Sequence, residues 1–507
     1  MKRLVGSLLL LGALASPTFA HPNPDLPHLL TTFESYVEKS RQEWETPGVA
    51  VALVVGDKVV YSKGFGVRKA GGKEPVTPET IFQIGSISKS FTSAMMAQLV
   101  DEHKLKWTDH VIDSFPDFRM FDPWVTREFT VEDTMSQRSG MPAYAGDYLA
   151  FMGRNRDEIL AAMRHIEPVS SFRTQFAYVN NLWLAAAKVI EKQTGKTWED
   201  NVRLRLFQPL GMTSTTTGLD ALYSAPNHAF PHVQGRSGVT PLGQDWPFAK
   251  WVYTYGPAGG INSNVLDMAR YARAQLHGSL DGKTILSPAS LDRLHAPHIY
   301  AGGNPKNPAS TIPEVGTLSY CMGWLRQQSM PAPIVWHNGG TSGCKAVVGL
   351  VPDSDIAIVV LSNLGGTELP EALMYKFYDL YLGRPDHDYS ASFLKSQKAH
   401  KPASPVRPNP ALPPLPLSRY VGTYLNPTYG NARVEVVGDG LKLTVGGALS
   451  AQGSPWNRDT FSFEDFASPT EPPQLVTFRL DANGSVTALE LPSMGDSQGG
   501  IFRRTEP

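Results

Sequence analysis

The sequence predicts an α/β (α+β) sandwich with an antiparallel sheet and a helical insert, followed by a small C-terminal antiparallel β-barrel. Residues 49–62 and residues 346–362 each hold two β-rich runs joined by a turn sequence, which is Gly56-Asp57 in the first region. This pattern is typical of hairpins. Between the two regions, apolar residues recur at helical spacing, as in residues 91–99. Distant hairpins around a helical insert indicate one sheet that is closed by both ends of the domain.

A break in composition separates the predicted barrel from the sandwich. Seven of the fifteen residues from 402 to 416 are proline. Because proline disfavours both helices and central strands, this stretch is predicted to be a semi-rigid linker. Beyond it, short alternating strands joined by turns such as Gly438-Asp439-Gly440 predict the barrel.

Residues 1–20 are predicted to be a cleaved signal peptide. Lys2 and Arg3 precede an apolar run over residues 4–15, and small residues follow as far as Ala20. The apolar run is too short to span a bilayer, and no later segment is a transmembrane candidate. The expected location is therefore secreted or periplasmic.

Charge and cysteine content exclude several classes of function. The 507 residues include 46 Lys plus Arg against 47 Asp plus Glu. A chain so close to neutral lacks the basic surface that binds nucleic acid, so no nucleic-acid partner is expected. Two cysteines and the absence of a Cys/His cluster predict neither a disulfide framework nor a structural metal site.

Ser86 and Lys89 lie where the first β-rich region meets a helical pattern. Residues three apart on a helix share a face, which brings the lysine amine near the serine hydroxyl. A serine nucleophile needs a base within hydrogen-bonding reach, and a desolvated lysine can act as that base. The spacing alone also fits an ordinary solvated helix face. It recurs at Ser342 with Lys345 and at Ser392 with Lys395.

Two further elements carry side chains suited to the same chemistry. Tyr178 can shuttle a proton near a lysine, and Asn180 can hold a substrate carbonyl, although Tyr178 also fits a packing role. His337 precedes Gly339 and Gly340 at the end of an apolar run. Glycines at a strand edge allow backbone N–H groups to approach an oxyanion, and the histidine can donate or relay a proton or simply occupy a turn.

Together and in this order, Ser-x-x-Lys, Tyr-x-Asn and His-x-Gly resemble the motifs of the serine β-lactamase and penicillin-binding-protein-like family, in particular its class C β-lactamase-related branch. The resemblance implies an acyl-enzyme formed by Ser86, with Lys89 and Tyr178 as the proton acceptors. The sequence does not show which of the two accepts the proton at each step. It also implies that backbone N–H groups of Ser86 and Gly340 stabilise the oxyanion and that Asn180 orients the substrate.

The resemblance also implies a domain organisation. Residues 28–385 are similar to the β-lactamase/transpeptidase-like catalytic domain, residues 386–416 are predicted as the Pro-rich linker, and residues 417–507 resemble the lipocalin-like β-domain of some members. A small-molecule or short-peptide substrate and no cofactor are expected. No oligomeric state is predicted.

The third motif departs from the family, since His337 stands where β-lactamases have a lysine. A histidine is a weaker and pH-dependent partner for a substrate carboxylate. Esterase, D-amino-acid amidase or peptidase, and weak β-lactamase activities are therefore all open, with a non-catalytic binding or assembly module as the alternative.

Two remaining features concern metals and cysteines. A metallohydrolase is disfavoured because His228 and His232, the four-spaced histidine pair, enclose a proline. Cys321 and Cys344 lie close in sequence to the motif segments, so either a disulfide between them or two buried thiols is possible.

Overall fold

The fold is taken from a computed structural model. It describes residues 25–235, 238–302, 316–329, 332–399, 405–466, 472–494 and 500–505. The predicted signal peptide and part of the predicted linker lie outside the described residues. None of the described helices has both the length and the apolar composition needed to cross a membrane.

The described helices and strands alternate through the first part of the chain, and strands dominate the last part. The helices are α1 (Leu26–Glu43), α2 (Ser88–Asp101), α3 (Val111–Ser114), α4 (Pro123–Glu128), α5 (Tyr148–Phe151), α6 (Arg156–Ala162), α7 (Asn181–Thr194), α8 (Trp198–Val202), α9 (Gln208–Leu210), α10 (Leu219–Ser224), α11 (Trp251–Thr254), α12 (Gly256–Gly259), α13 (Val265–His277), α14 (Pro288–His295), α15 (Leu369–Leu382) and α16 (Tyr389–Ala399). The strands are β1 (Gly48–Val55), β2 (Lys58–Gly66), β3 (Phe82–Gln83), β4 (Thr216–Thr217), β5 (His232–Gly235), β6 (Gly238–Pro241), β7 (Ile261–Ser263), β8 (Ser279–Leu280), β9 (Lys283–Thr284), β10 (Ile299–Tyr300), β11 (Leu318–Tyr320), β12 (Leu325–Gln327), β13 (Ile334–Gly340), β14 (Lys345–Val351), β15 (Ile356–Ser362), β16 (Gly422–Asn426), β17 (Gly430–Val437), β18 (Gly440–Val445), β19 (Leu449–Asn457), β20 (Thr460–Phe463), β21 (Gln474–Leu480), β22 (Val486–Glu490) and β23 (Ile501–Arg504).

The main sheet is antiparallel and has the strand order β10-β11-β12-β13-β14-β15-β1-β2. Both predicted hairpins, β1–β2 and β14–β15, are present, and β1 pairs with β15 from Val49 opposite Ser362 to Val55 opposite Ile356. The two ends of the domain's sequence thus pair within one sheet, and the predicted sandwich with a helical insert is confirmed.

The two faces of the sheet pack against different helices. On β1, Val49, Val51 and Leu53 join the core that contains residues of α1 and α15, whereas Ala50 and Ala52 face the core that contains residues of α2 and α13. This alternation follows from the two-residue period of a strand. Alanine on the second face leaves room for α13 to approach β1 closely.

Helix α2 runs through the centre of the second core, carries Lys89 and directly follows the short turn that holds Ser86. Its small polar residues are buried and satisfied locally, as in Ser90, whose hydroxyl donates to the Ile87 carbonyl at 2.8 Å. The hydroxyl of Tyr271 donates to Ser90 at 2.9 Å, and the indole of Trp198 donates to Thr92 at 2.9 Å. Breaking these contacts would leave buried polar groups without partners, so they hold α2 against its neighbours.

The C-terminal strands β16–β23 form a closed barrel, which confirms the predicted antiparallel β-barrel. The barrel rests on the sandwich. The Gly146 N–H donates to the Tyr429 hydroxyl at 3.2 Å, and Met152 packs against the turn at Gly446. The range predicted as linker, 386–416, includes helix α16, whose Phe393 ring stacks edge-on against Tyr375 at 6.2 Å between centroids.

Candidate active site

Ser86 lies in a short 3-10 turn, Gly85–Ile87, between β3 and α2. The turn is pressed against the glycine edge of β13. Gly85 has a φ of +52°, and a Cβ atom added there would lie 2.7 Å from the Gly340 nitrogen. A Cβ atom on Gly339 would lie 1.8 Å from the Ile84 carbonyl oxygen. Glycine at these positions therefore allows the first and third motifs to meet.

Lys89 is fully buried one helical turn after Ser86. Its Nζ lies 3.0 Å from Ser86 Oγ, 2.8 Å from Asn180 Oδ1 and 2.9 Å from the carbonyl oxygen of Ala258 in α12. A neutral amine has two N–H donors and one lone pair. The two carbonyl oxygens can take the donors, which leaves the lone pair for the Ser86 hydroxyl proton.

Burial lowers the pKa of Lys89 to about 7, and the nearby carboxylate of Asp147 opposes that shift. A buried ammonium loses its hydration, so the neutral form is favoured. Near neutral pH a large share of Lys89 is therefore the free base. This is the form that a serine nucleophile requires.

Asp147 joins the same network, although no motif in the sequence predicts it. Its Oδ2 accepts from the Asn180 side-chain amide at 2.7 Å, while its Oδ1 is buried without a hydrogen-bond partner among the described residues. Burial raises the pKa of Asp147 to about 7, opposed by the Asn180 hydrogen bond and by Lys89. Asn180 thus links Lys89 to a second titratable group.

Tyr178 lies beside Lys89, with the Lys89 Nζ 4.8 Å from the ring centroid. Burial raises the pKa of Tyr178 well above its usual value, although a hydrogen bond with Ser86 acts in the opposite direction. The phenol therefore keeps its proton near neutral pH. Near neutral pH, Lys89 is therefore the group that can accept a proton, whereas the Tyr178 phenol already holds one.

His337 is 1% exposed, and its environment differs from the sequence expectation of a pH-dependent charge. Burial, together with the Lys89 charge, lowers its pKa to about 3. Its Nε2 lies 3.3 Å from the Tyr320 hydroxyl, and its Nδ1 contacts the Asn338 carbonyl oxygen. With its proton on Nδ1, a neutral imidazole donates to the Asn338 carbonyl and accepts at Nε2 from the Tyr320 hydroxyl. The neutral form of His337 therefore fits both contacts.

All of these side chains except that of Lys89 line a cavity of about 860 Å³. Its lining combines residues from all three motifs with further polar residues. The motif residues are Ser86, Tyr178, Asn180, His337 and Gly340, and the further polar residues include Tyr144, Asp147, Lys345, Glu368 and Glu371. Gly339 is not in this lining and instead contacts the Ile84 carbonyl.

The two other Ser-x-x-Lys sequences do not form comparable pairs. Ser342 accepts a hydrogen bond from the Trp251 indole at 2.9 Å, and Lys345 forms an ion pair with Glu371 at 2.9 Å. Ser392 is exposed on α16. Both Cys321 and Cys344 are free, buried thiols, which is the second of the two possibilities considered for them.

An antiparallel α/β sandwich in which a cavity-lining serine precedes the central helix and pairs with a buried lysine of that helix resembles the arrangement of penicillin-binding proteins and serine β-lactamases. The family model described as Beta-lactamase matches residues 33–382. The chain therefore belongs to the Beta-lactamase family. A second model, described as Domain of unknown function (DUF3471), matches residues 406–500, which include most of the barrel.

Several known proteins are similar to this chain over most of its length. An unguisins hydrolase from Aspergillus campestris is 31% identical over 78% of this chain and 76% of its own length. Penicillin-binding protein 4 of Amycolatopsis lactamdurans is 27% identical over 64% of this chain and 83% of its own. The octameric penicillin-binding protein homologue from Pyrococcus abyssi has the same fold, with a TM-score of 0.61 and 23% identity, covering 91% of this chain and 98% of its own.

Proposed function

We propose that this protein is a serine hydrolase that cleaves ester or amide bonds through an acyl-enzyme on Ser86. The observation that carries the proposal is the position of Lys89 Nζ, 3.0 Å from Ser86 Oγ, with carbonyl acceptors for both of its remaining N–H groups. Hydrolase activity is also the reaction named for the relative from Aspergillus campestris.

In the proposed acylation step, Ser86 Oγ forms a bond to the substrate carbonyl carbon and its proton passes to neutral Lys89. The resulting oxyanion lies next to the backbone N–H groups of Ser86 and Gly340, where fixed donors stabilise it. The bond to the leaving group then breaks, and the leaving group takes a proton from Tyr178. Tyr178 recovers that proton from Lys89, which returns the base to its starting form.

Deacylation repeats these steps with water as the nucleophile. Water attacks the acyl carbon, Lys89 accepts its proton, and Ser86 Oγ leaves with a proton delivered through Tyr178. Asn180 positions both Lys89 and the substrate.

We also propose that the protein is exported, because Lys2 and Arg3 precede an apolar run typical of a signal peptide. The enzyme would then act on substrates outside the cytoplasm.

A covalent probe tests the proposal directly. Fluorophosphonates react with activated serines, and we expect peptide mapping by mass spectrometry to place the adduct on Ser86 in the native protein. Heat-denatured protein should not be labelled, because the reactivity depends on Lys89 and the folded site. Native protein that is unlabelled at Ser86 would favour the alternative, a non-catalytic binding or assembly module.

The pH dependence of kcat/KM gives an independent prediction. Because burial lowers the pKa of Lys89 to about 7, we expect the rate to rise with pH and to level off above a midpoint near 7. Asp147 titrates in the same pH range and interacts with Lys89, so the midpoint of the rate profile reflects the two groups together. Its carboxylate raises the pKa of Lys89, so Asp147→Asn should move the midpoint to lower pH.

The matched control for this profile is Asp117→Asn, since Asp117 is exposed and does not line the cavity. Its profile should overlay that of the native protein. A midpoint that moves upward in Asp147→Asn, or that stays in place, would contradict the assignment of Lys89 as the base.

A further inference from the structure

Four polar residues in the cavity have no part in the proposed acyl transfer. Asn338 lies in β13, Lys345 begins β14, Glu368 directly precedes α15, and Glu371 lies in the first turn of α15. All four line the cavity that contains Ser86. We call them the acidic cluster.

Glu371 is 6% exposed, and among the described residues only one of its two carboxylate oxygens has partners. Its Oε1 lies 2.9 Å from Lys345 Nζ and accepts from the Asn338 side-chain amide at 2.7 Å. Its Oε2 is buried and accepts no hydrogen bond from any described residue. A buried carboxylate oxygen without a donor is costly, so a ligand that supplies an N–H group would be stabilised there.

Glu368 supplies a second acceptor next to Glu371. It is half-buried and lines the cavity, and its carboxylate accepts no hydrogen bond within the described part of the chain. Burial and the negative charge of Glu371 raise the pKa of Glu368 to about 7, opposed by Lys345. Both effects disfavour the charged carboxylate, so a cationic ligand placed beside Glu368 would be stabilised there.

The charges of the acidic cluster favour a cationic ligand over an anionic one. Burial alone would lower the pKa of Lys345, but the ion pair with Glu371 raises it, so Lys345 stays charged and balances Glu371. Glu368 has no ion-pair partner among the described residues, so it is the carboxyl group that a ligand cation can pair with. An incoming carboxylate would be repelled by Glu368 and would find Lys345 already engaged, whereas an ammonium group would find two free acceptors.

The acidic cluster is close to the acylation site. Lys345 is the cross-strand partner of Gly340, the residue that lies against the Ser86 turn, and such partners are roughly 5 Å apart between Cα atoms. Tyr144 also lines this cavity, and its ring centroid is 5.5 Å from that of Tyr178. Its side chain is exposed, and an aromatic face of this kind also attracts cations.

We propose that Glu368 and Glu371 bind a primary ammonium group of the substrate while the carbonyl to be attacked lies at Ser86. The proposal rests on the proposed function, since it assigns a substrate class to the same cavity. It predicts a preference for amine-bearing acyl compounds over their N-acetylated forms. Lys345 and Asn338 act by holding Glu371 in place.

Paired covalent probes test the proposal without knowledge of the natural substrate. Alkyl fluorophosphonates that end in a primary amine, made in several chain lengths, are compared with their N-acetylated counterparts by their rates of Ser86 labelling. For at least one chain length we expect the amine form to react about tenfold faster, as a charge-assisted hydrogen bond allows. Glu368→Gln should bring the ratio close to one, and Glu368→Lys should bring it below one.

Glu368 is the residue to change because Glu371→Gln would leave Lys345 as a buried charge without its partner. Glu79→Gln, an exposed carboxylate outside the cavity, is the matched control and should keep the native ratio. A ratio near one at every chain length, or a ratio that survives in Glu368→Gln, overturns the ammonium site while Ser86 labelling upholds the hydrolase. Failure of both probe forms to label Ser86 overturns both proposals.

Discussion

Ser86→Ala is expected to lower kcat/KM for ester hydrolysis by at least about 10,000-fold, and Lys89→Met by about 1,000-fold. The first change removes the nucleophile and the second removes the base 3.0 Å away. Because the two residues act as one unit, the double variant should be no slower than Ser86→Ala. Steady-state kinetics with an activated ester, over the range of pH in which the native protein is active, measure all three rates.

The serine at Ser392 provides the control, because it has a lysine at the same spacing but is exposed on α16. Ser392→Ala should retain the native rate. Thermal unfolding of each variant separates loss of chemistry from loss of fold, since Lys89→Met leaves two carbonyl acceptors without a donor. Full activity in a folded Lys89→Met protein would refute the role of Lys89 as base.

Gly339→Ala is expected to destabilise the sandwich by about 3 kcal/mol or more. The added Cβ atom would lie 1.8 Å from the Ile84 carbonyl oxygen and 2.9 Å from the Ser86 nitrogen, so the backbone has to move. The Ile84 segment has little freedom, since its N–H donates to the Ile261 carbonyl at 3.0 Å. We also expect Ser86 labelling to slow, because the displaced segment carries the nucleophile.

Gly340→Ala is a stringent comparison, since it is the next residue and a Cβ atom there would meet nothing within 4 Å. It also keeps the backbone N–H. Its thermal unfolding midpoint should stay close to that of the native protein, whereas that of Gly339→Ala should fall by about 6 °C or more. Equal midpoints for the two variants would show that the turn at Ser86 and the edge of β13 are not in tight contact.

Local and periodic signals made much of this fold predictable from the sequence. The hairpin turn at Gly56-Asp57 and the alternation along β1 follow from backbone chemistry and from the two-residue period of strands. Lys89 follows Ser86 by three residues where the 3-10 turn continues into α2, so their proximity is also a local property. The arrival of Tyr178 beside them depends on tertiary packing, and the sequence indicated it only through the resemblance to a family.

The residues that the sequence did not reveal are those whose meaning depends on distant neighbours. Asp147 lies in an irregular segment, and its importance arises from Asn180, which precedes a different helix. Glu368 and Glu371 near the start of α15 match the ordinary preference of helix N-termini for acidic residues. Helix α16 formed within the predicted linker range because the proline-rich composition begins only at residue 402.

The contact between Gly146 and Tyr429 places a barrel side chain one residue away from Asp147. The stretch from Gly146 to Met152 therefore has two sides, one that lines the cavity at Asp147 and one that meets the barrel. For protein engineering, the exchangeable module does not begin at the proline-rich connector. A chimera that takes its barrel from a relative should take this stretch from the same relative, so that the matched surfaces are inherited together.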